Sequence, residues 1–220
     1  MAYAGNLFLV DDGGISPSKL PRHEQVSISA YINGEIGTVD GSRPPAVKTL
    51  SIDIDKTIQV NAKGLPVCKE AQLVARSTAD AKRACRNAIV GSGEGEVDVA
   101  FPEQKPFAVK GRLLFFNGGV HGDTTLLFAH TYVYVPVPTA VVVPIKLTQI
   151  RRGHFGLHTF TKVPTIAGGY GAITKVKFRI YRTFAYEGKE ESYLTGSCPT
   201  GRYYTRGKVL FSDGTTLALS

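Results

Sequence analysis

Histidines, cysteines and closely spaced aspartates are the residues of this 220-residue chain that chemistry would recruit first. His154 and His158 fall on one face if their segment is a strand. At ~3.3 Å per residue they would stand about 13 Å apart, too far to share a metal without a bend. His121 and Asp123 follow the turn signal Asn117-Gly118-Gly119 and could supply two ligands, although a solvated loop histidine beside an aspartate is the commoner arrangement. With no third ligand at suitable spacing, the expectation is no metal and no cofactor. Asp53 and Asp55 would lie about 7 Å apart on one strand face, a separation that could suit paired carboxylates. No cleft is legible around them, so they read as solvated strand positions. No Gly-x-Ser-x-Gly elbow or Ser-x-x-Lys set is present. Gly91-Ser92-Gly93 follows a helix pattern and reads as a flexible turn. Gly168-Gly169-Tyr170-Gly171 lacks phosphate-loop spacing and reads as a tight turn between strands. No catalytic residue is assigned, and the chain leans away from an enzyme.

The elements that must position these residues are mostly strands. Apolar residues make up 43% of the chain and charged residues 20%, enough to bury a core and to exclude wholesale disorder or a coiled coil. Val26, Ile28, Ala30 and Ile32 alternate with polar neighbours, as do Leu50, Ile52 and Ile54. Similar patterns cover 57–61, 95–101, 107–116, 124–135, 140–150, 155–163, 173–186, 191–196, 203–211 and 216–219, with turn signals at 117–119, 151–153, 187–189 and 213–214. The predicted fold is all-β, an antiparallel sandwich or partly open barrel, with an N-terminal segment 1–22 ahead of a β domain 23–220. Residues 46–56 echo 172–182, which either reflects two related halves, 23–118 and 119–220, or is the alignment any two amphipathic strands allow. One helix is expected after Ser77, an N-cap with Asp80 following and with Ala81, Ala84, Cys85 and Ala88 as its apolar stripe. A short turn is expected at 69–74. Residues 124–145 carry no Asp, Glu, Lys or Arg and could span a membrane by length. Pro136, Pro138, Pro144 and the β-branched runs around them favour two buried strands instead, so no transmembrane segment is expected. The first ten residues lack a signal-peptide pattern, so the chain is either cytoplasmic or the mature form of an exported protein.

Cys68 and Cys85 bracket the segment leading into the helix. They are either a disulfide, whose loop closure would stabilise by roughly 3 kcal/mol, or two buried thiols; Cys198 is left over. The strings TVDGSRPPAVKTL (38–50), GLPVC (64–68), ARSTADAKRACRNAIVGSG (75–93), LLFFNG (113–118), VPTIAGGYGAIT (163–174) and SYLTGSCPTGRYYTRGKVLFSDGT (192–215) resemble a group of secreted actinobacterial proteins with no assigned activity. The resemblance runs in order from about Ser18 onward. It implies export with a cleaved signal, a Cys68–Cys85 bridge, and a further C-terminal cysteine to partner Cys198, which is absent before Ser220.

Lys and Arg exceed Asp and Glu by eight, and two clusters carry much of the excess. Lys175, Lys177 and Arg179 alternate along one strand with Tyr181, and Arg202, Tyr203, Tyr204 and Arg206 form a second basic and aromatic group. Such faces bind nucleic acid or, for an exported protein, anionic envelope polymers or lipid headgroups; a solvated strand face is the plain alternative. The expectation is a non-enzymatic structural or binding protein of the cell envelope, extracellular or envelope-located, with no nucleic-acid partner. A carrier holding a hydrophobic ligand between 107–116 and 124–145 is the alternative, and a hydrolase with an unrecognised site a further one.

Overall fold

A computed structural model describes residues 1–134 and 137–219. Alternating side chains build β1 (Ala2–Ala4), β2 (Leu7–Ser16), β3 (Val26–Ser27), β4 (Ser29–Thr38), β5 (Val47–Asp55) and β6 (Ile58–Val60), followed by the helix α1 (Thr78–Ala84). Then come β7 (Ile89–Val99), β8 (Phe107–His121), β9 (Thr124–Val133), β10 (Thr139–Arg152), β11 (Phe155–Lys162) and β12 (Gly171–Ile180). The chain ends with β13 (Thr183–Tyr186), β14 (Lys189–Ser192), β15 (Leu194–Gly196), β16 (Thr205–Phe211) and β17 (Thr216–Leu219). Twelve strands form one antiparallel sheet in the order β1-β2-β4-β12-β7-β8-β9-β10-β11-β5-β16-β17. Its two edges, β1 and β17, lie side by side, so the sheet curls into a nearly closed barrel. The fold is all-β as the alternation implies, and of the two architectures it allows, sandwich or partly open barrel, it is the barrel. The first 22 residues contribute β1 and β2, whose Leu7 and Leu9 bury against Val209, Phe211 and Leu217. Strands β3, β15 and β6 form a small sheet, and β13 and β14 a hairpin. Among the described residues no helix is long and apolar enough to cross a membrane.

The runs Leu113-Leu114-Phe115-Phe116 and Leu126-Leu127-Phe128-Ala129 are apolar at every position because β8 and β9 are covered on both sides. Phe115, Leu127 and Ala129 pack into the main core with Ile28, Val90, Ile180 and Leu194. Leu114, Phe116 and Phe128 point the other way, beneath Cys68, Leu73, Ala81, Cys85 and Ala88. Ser77 caps α1, its Oγ accepting from the Asp80 N–H at 3.1 Å. Cys68 and Cys85 are disulfide-bonded, with Cα atoms 5.6 Å apart, and pin this lobe to the barrel wall. Ala84 is exposed, contrary to the stripe expected of it. The α-helix stops there and a 3-10 turn, Arg86–Ala88, rotates the following residues.

Two turns read from the sequence are strand. Asn117-Gly118-Gly119 lies inside β8 as a bulge, with a register shift between Asn117 and Gly119 and Gly119 at φ +91°. The side chain of Asn117, fully buried, explains it: Nδ2 donates to the carbonyls of Leu65 (3.3 Å) and Pro66 (3.1 Å), and the backbone carbonyl accepts from Cys68 N–H at 2.8 Å. Gly91-Ser92-Gly93 opens β7 rather than forming a flexible turn. A Cβ on Gly93 would stand 2.2 Å from the Lys177 carbonyl oxygen, so glycine is what lets β12 close on β7. The strand expected over 173–186 is two strands broken after Ile180, and 191–196 divides between β14 and β15. Val135 and Pro136, part of the expected joint between strands, lie outside the described residues.

Candidate functional site

In an antiparallel sheet directly paired residues share a face, so register decides which charges meet. On the outer face of β12, Lys175 sits between Glu35 of β4 and Glu96 of β7, and its Nζ lies 3.7 Å from the Glu35 carboxylate. Glu96 meets Lys110 of β8 at 3.5 Å. Lys177 stands between Asn33 and Glu94, and Glu94 faces Arg112. Arg179 lies between Tyr31 and Ser92, its guanidinium 5.9 Å from the Tyr31 ring centre. Tyr181, just past the strand, is exposed. A shallow cleft of about 520 Å³ opens over Tyr31, Asn33, Glu94, Arg112, Lys177 and Arg179. The cluster chosen from the sequence is therefore half of a checkerboard. Lys175 and Lys177 each have a carboxylate beside them on a neighbouring strand, whereas Arg179 lies against Tyr31 and Ser92.

The second cluster lies several strands away and belongs to a different arrangement. Arg202 is exposed. Tyr203 turns inward beside Cys198, burial pushing its phenol above its ordinary pKa and the neighbouring thiol adding to the shift. Tyr204 stacks on His154 with ring centres 4.3 Å apart. Arg206 enters β16 and pairs across to Asp53 of β5, which pairs in turn with His158 of β11 and, through it, with Thr148 of β10. His158 Nδ1 donates to Asp53 Oδ1 at 2.6 Å, while Arg206 Nε and a terminal nitrogen both reach Oδ2 at 2.7 Å. The Arg206 guanidinium also covers the Phe155 ring at 4.6 Å. Burial alone would raise the Asp53 carboxyl. The hydrogen bonds from His158 and Arg206, with the charge of Arg206, outweigh it and hold the group below the usual carboxylate range.

Neither aspartate is a solvated strand position, as the alternation had suggested: Asp53 and Asp55 are 7% and 5% exposed. Asp53 is enclosed by strands remote in sequence, and Asp55 by the turn that follows it and by Tyr204. Asp55 Oδ1 accepts from the backbone and hydroxyl of Thr57, at 2.9 and 2.8 Å, and Oδ2 from Tyr204 N–H at 3.2 Å. It ties the β5–β6 turn to the start of β16.

The same register fills the rest of this outer face with cations. Lys146, Phe160, Ser51 and Lys208 form one cross-strand row, and Lys162 lies beyond it next to Thr49. Their alternates Leu50 and Val209 face the core. Strands β10, β11, β5 and β16 contain no acidic residue except Asp53 and Asp55. Lys146, Lys162, Arg206 and Lys208 are exposed, and so, at 40%, is Phe160. Of these cations, only Arg206 was singled out from the sequence. Lys146, Lys162 and Lys208 sit singly on three strands and form no run, and the spacing of His158 from His154 suggests only a metal ligand.

The other histidines are dispersed. His130 is buried beneath the disulfide lobe with Nε2 3.1 Å from the Arg76 carbonyl, and His121 and His23 are exposed. Among the described residues no three of His, Cys, Asp and Glu converge as a metal set. Comparison with models of protein families, with curated proteins and with solved structures finds no match for this chain.

Proposed function

We propose that this chain is an exported, non-enzymatic binding module that holds an anionic polymer of the cell envelope against the outer face of β10, β11, β5 and β16. The observation that carries the reading is the charge of that face: exposed Lys146, Lys162, Arg206 and Lys208 beside His158, with both carboxylates buried and already engaged. Unopposed cations on a rigid sheet raise the local concentration of polyanion without needing a pocket. The Cys68–Cys85 bridge suits an oxidising compartment, and the resemblance to secreted proteins points the same way. The carrier alternative has less support, since Leu113, Phe115, Leu127, Ala129, Val143 and Ile145 pack against one another in the main core.

The test is co-sedimentation with anionic cell-wall fragments and with anionic liposomes at 0.1 and 1 M salt, where the Debye length falls from about 10 Å to about 3 Å. Retention on the fragments should drop at high salt. The Lys146→Ser/Lys208→Ser pair should weaken it severalfold, while Lys175→Ser/Lys177→Ser should change it little. Equal effects of the two pairs, or no binding to fragments at low salt, would overturn the proposal; retention on liposomes alone would replace the polymer with lipid headgroups.

A further inference from the structure

Where the basic face reaches the β10–β11 turn, the barrel opens into a cleft of about 660 Å³. Its lining includes Lys56, Gln59, Asn61, Asp123, Gln149 and Arg151, together with the apolar Leu147 and Leu157. The volume lies in the range of small-ligand sites, and placed polar groups are what such sites use to orient a ligand. The amides of Gln59 and Gln149, the Asp123 carboxylate and the two cations take part in no side-chain hydrogen bond or ion pair among the described residues. Asn61 uses Nδ2 on the Ser192 carbonyl and the Thr195 hydroxyl, both at 3.1 Å, which fixes the amide and leaves its Oδ1 as an acceptor. The cleft and the basic face share a rim. Gln149 pairs with Leu157 while the adjacent residues Thr148 and His158 pair on the opposite side of the same two strands. Lys56 N–H donates to the His154 carbonyl at 2.9 Å, and His154 stacks on Tyr204.

We infer that this cleft seats a sugar unit bearing an anionic group, carboxylate or phosphate, from a polymer lying on the basic face. This rests on the function proposed above and names its partner as a polysaccharide. Neutral amides and one carboxylate match a ring of hydroxyls, each able to donate and accept. Lys56 and Arg151 supply the charge for the acidic substituent, Arg in bidentate form. The stacked His154 and Tyr204 offer a flat surface at the rim for an adjoining ring.

The experiment separates the cleft from the face. Amide chemical shifts of the native protein are followed on titration with trigalacturonate, glucosamine 6-phosphate and neutral maltotriose, and binding to polyglutamate, a polyanion without sugar, is measured in parallel. One of the two acidic sugars should shift the signals of Gln59, Asp123 and Gln149, and which one does so distinguishes carboxylate from phosphate; maltotriose should bind at least tenfold more weakly. The double variant Gln59→Ala/Gln149→Ala should weaken the acidic sugar about tenfold, the equivalent of two neutral hydrogen bonds, and leave polyglutamate binding intact. Unmoved cleft signals with all three sugars, or maltotriose binding as tightly as the acidic ones, would overturn the cleft proposal even if polyglutamate binds. Failure to bind polyglutamate would instead count against the basic face.

Discussion

Two outer faces of one barrel carry similar numbers of cations and differ in what stands opposite them. On β4, β12, β7 and β8 the register alternates signs, Glu35–Lys175–Glu96–Lys110 in one row and Lys177–Glu94–Arg112 in the next. On β10, β11, β5 and β16 the exposed cations have no exposed carboxylate among them, and the two acids of these strands, Asp53 and Asp55, are buried and engaged by the groups they bind. Exposed pairs like those of the first face contribute little to stability and cancel at a distance. The second face keeps a field that reaches into solvent, and its buried aspartate fixes where His158 and Arg206 stand. Charge count along one strand says little about a sheet's surface; the neighbouring strands decide its sign.

The comparison can be broken most forcefully at Gly93. Alanine there meets the backbone of Lys177 and should force β7 from β12, disrupting the alternating face at a cost of about 3 kcal/mol in urea unfolding. Unchanged stability would mean that the close approach of these strands is dispensable. Next in size is Asp53→Ala, which removes the contacts of His158 and Arg206 with the buried carboxylate on the basic face and should cost about 2 kcal/mol; a loss no larger than that of Glu94→Ala would erase the distinction between buried and exposed carboxylates. The acid dependence sharpens the same point. The folded Asp53 carboxyl titrates below its unfolded value of 3.8, so its stabilisation is present above that pH and lost as pH falls through and below it. Asp53→Asn should flatten the acid limb of the stability curve, and an unaltered limb would assign acid sensitivity elsewhere.

Smaller effects follow from geometry and sign. Arg206→Lys keeps the charge but loses the planar contact with Phe155 and the paired bonds to Asp53, a cost of about 1 kcal/mol by thermal melting. No measurable change would reduce Arg206 to a point charge. The least costly change is the most diagnostic: Glu94→Gln/Glu96→Gln should alter stability by no more than about 0.5 kcal/mol. By unmasking Lys175, Lys177 and Arg112 it should give the alternating face a salt-sensitive affinity for anionic fragments. If the variant gains none, the pairing of signs is not what separates the two faces.

Alternation in the sequence determined the strands, the capped helix after Ser77 and the all-β class, because period-2 burial and an N-cap hydroxyl are local properties. The cysteines announced a pair without saying whether it closed. What the sequence alone could not supply was adjacency across strands. Asn-Gly-Gly signals a turn in isolation, yet Asn117 is claimed by the carbonyls of Leu65 and Pro66 and the chain runs on as a bulged strand. Asp53 looks solvated among Ser51 and Asp55, yet its partners lie 105 and 153 residues away. Lys175, Lys177 and Arg179 look like a basic face until β7 brings Glu94 and Glu96 beside them. Lys146, Lys162 and Lys208 look unrelated until β5 and its neighbours align them. Electrostatic character depends on separations of a few ångströms, and in a sheet of twelve strands those separations are set by pairing order, which only the tertiary structure decides.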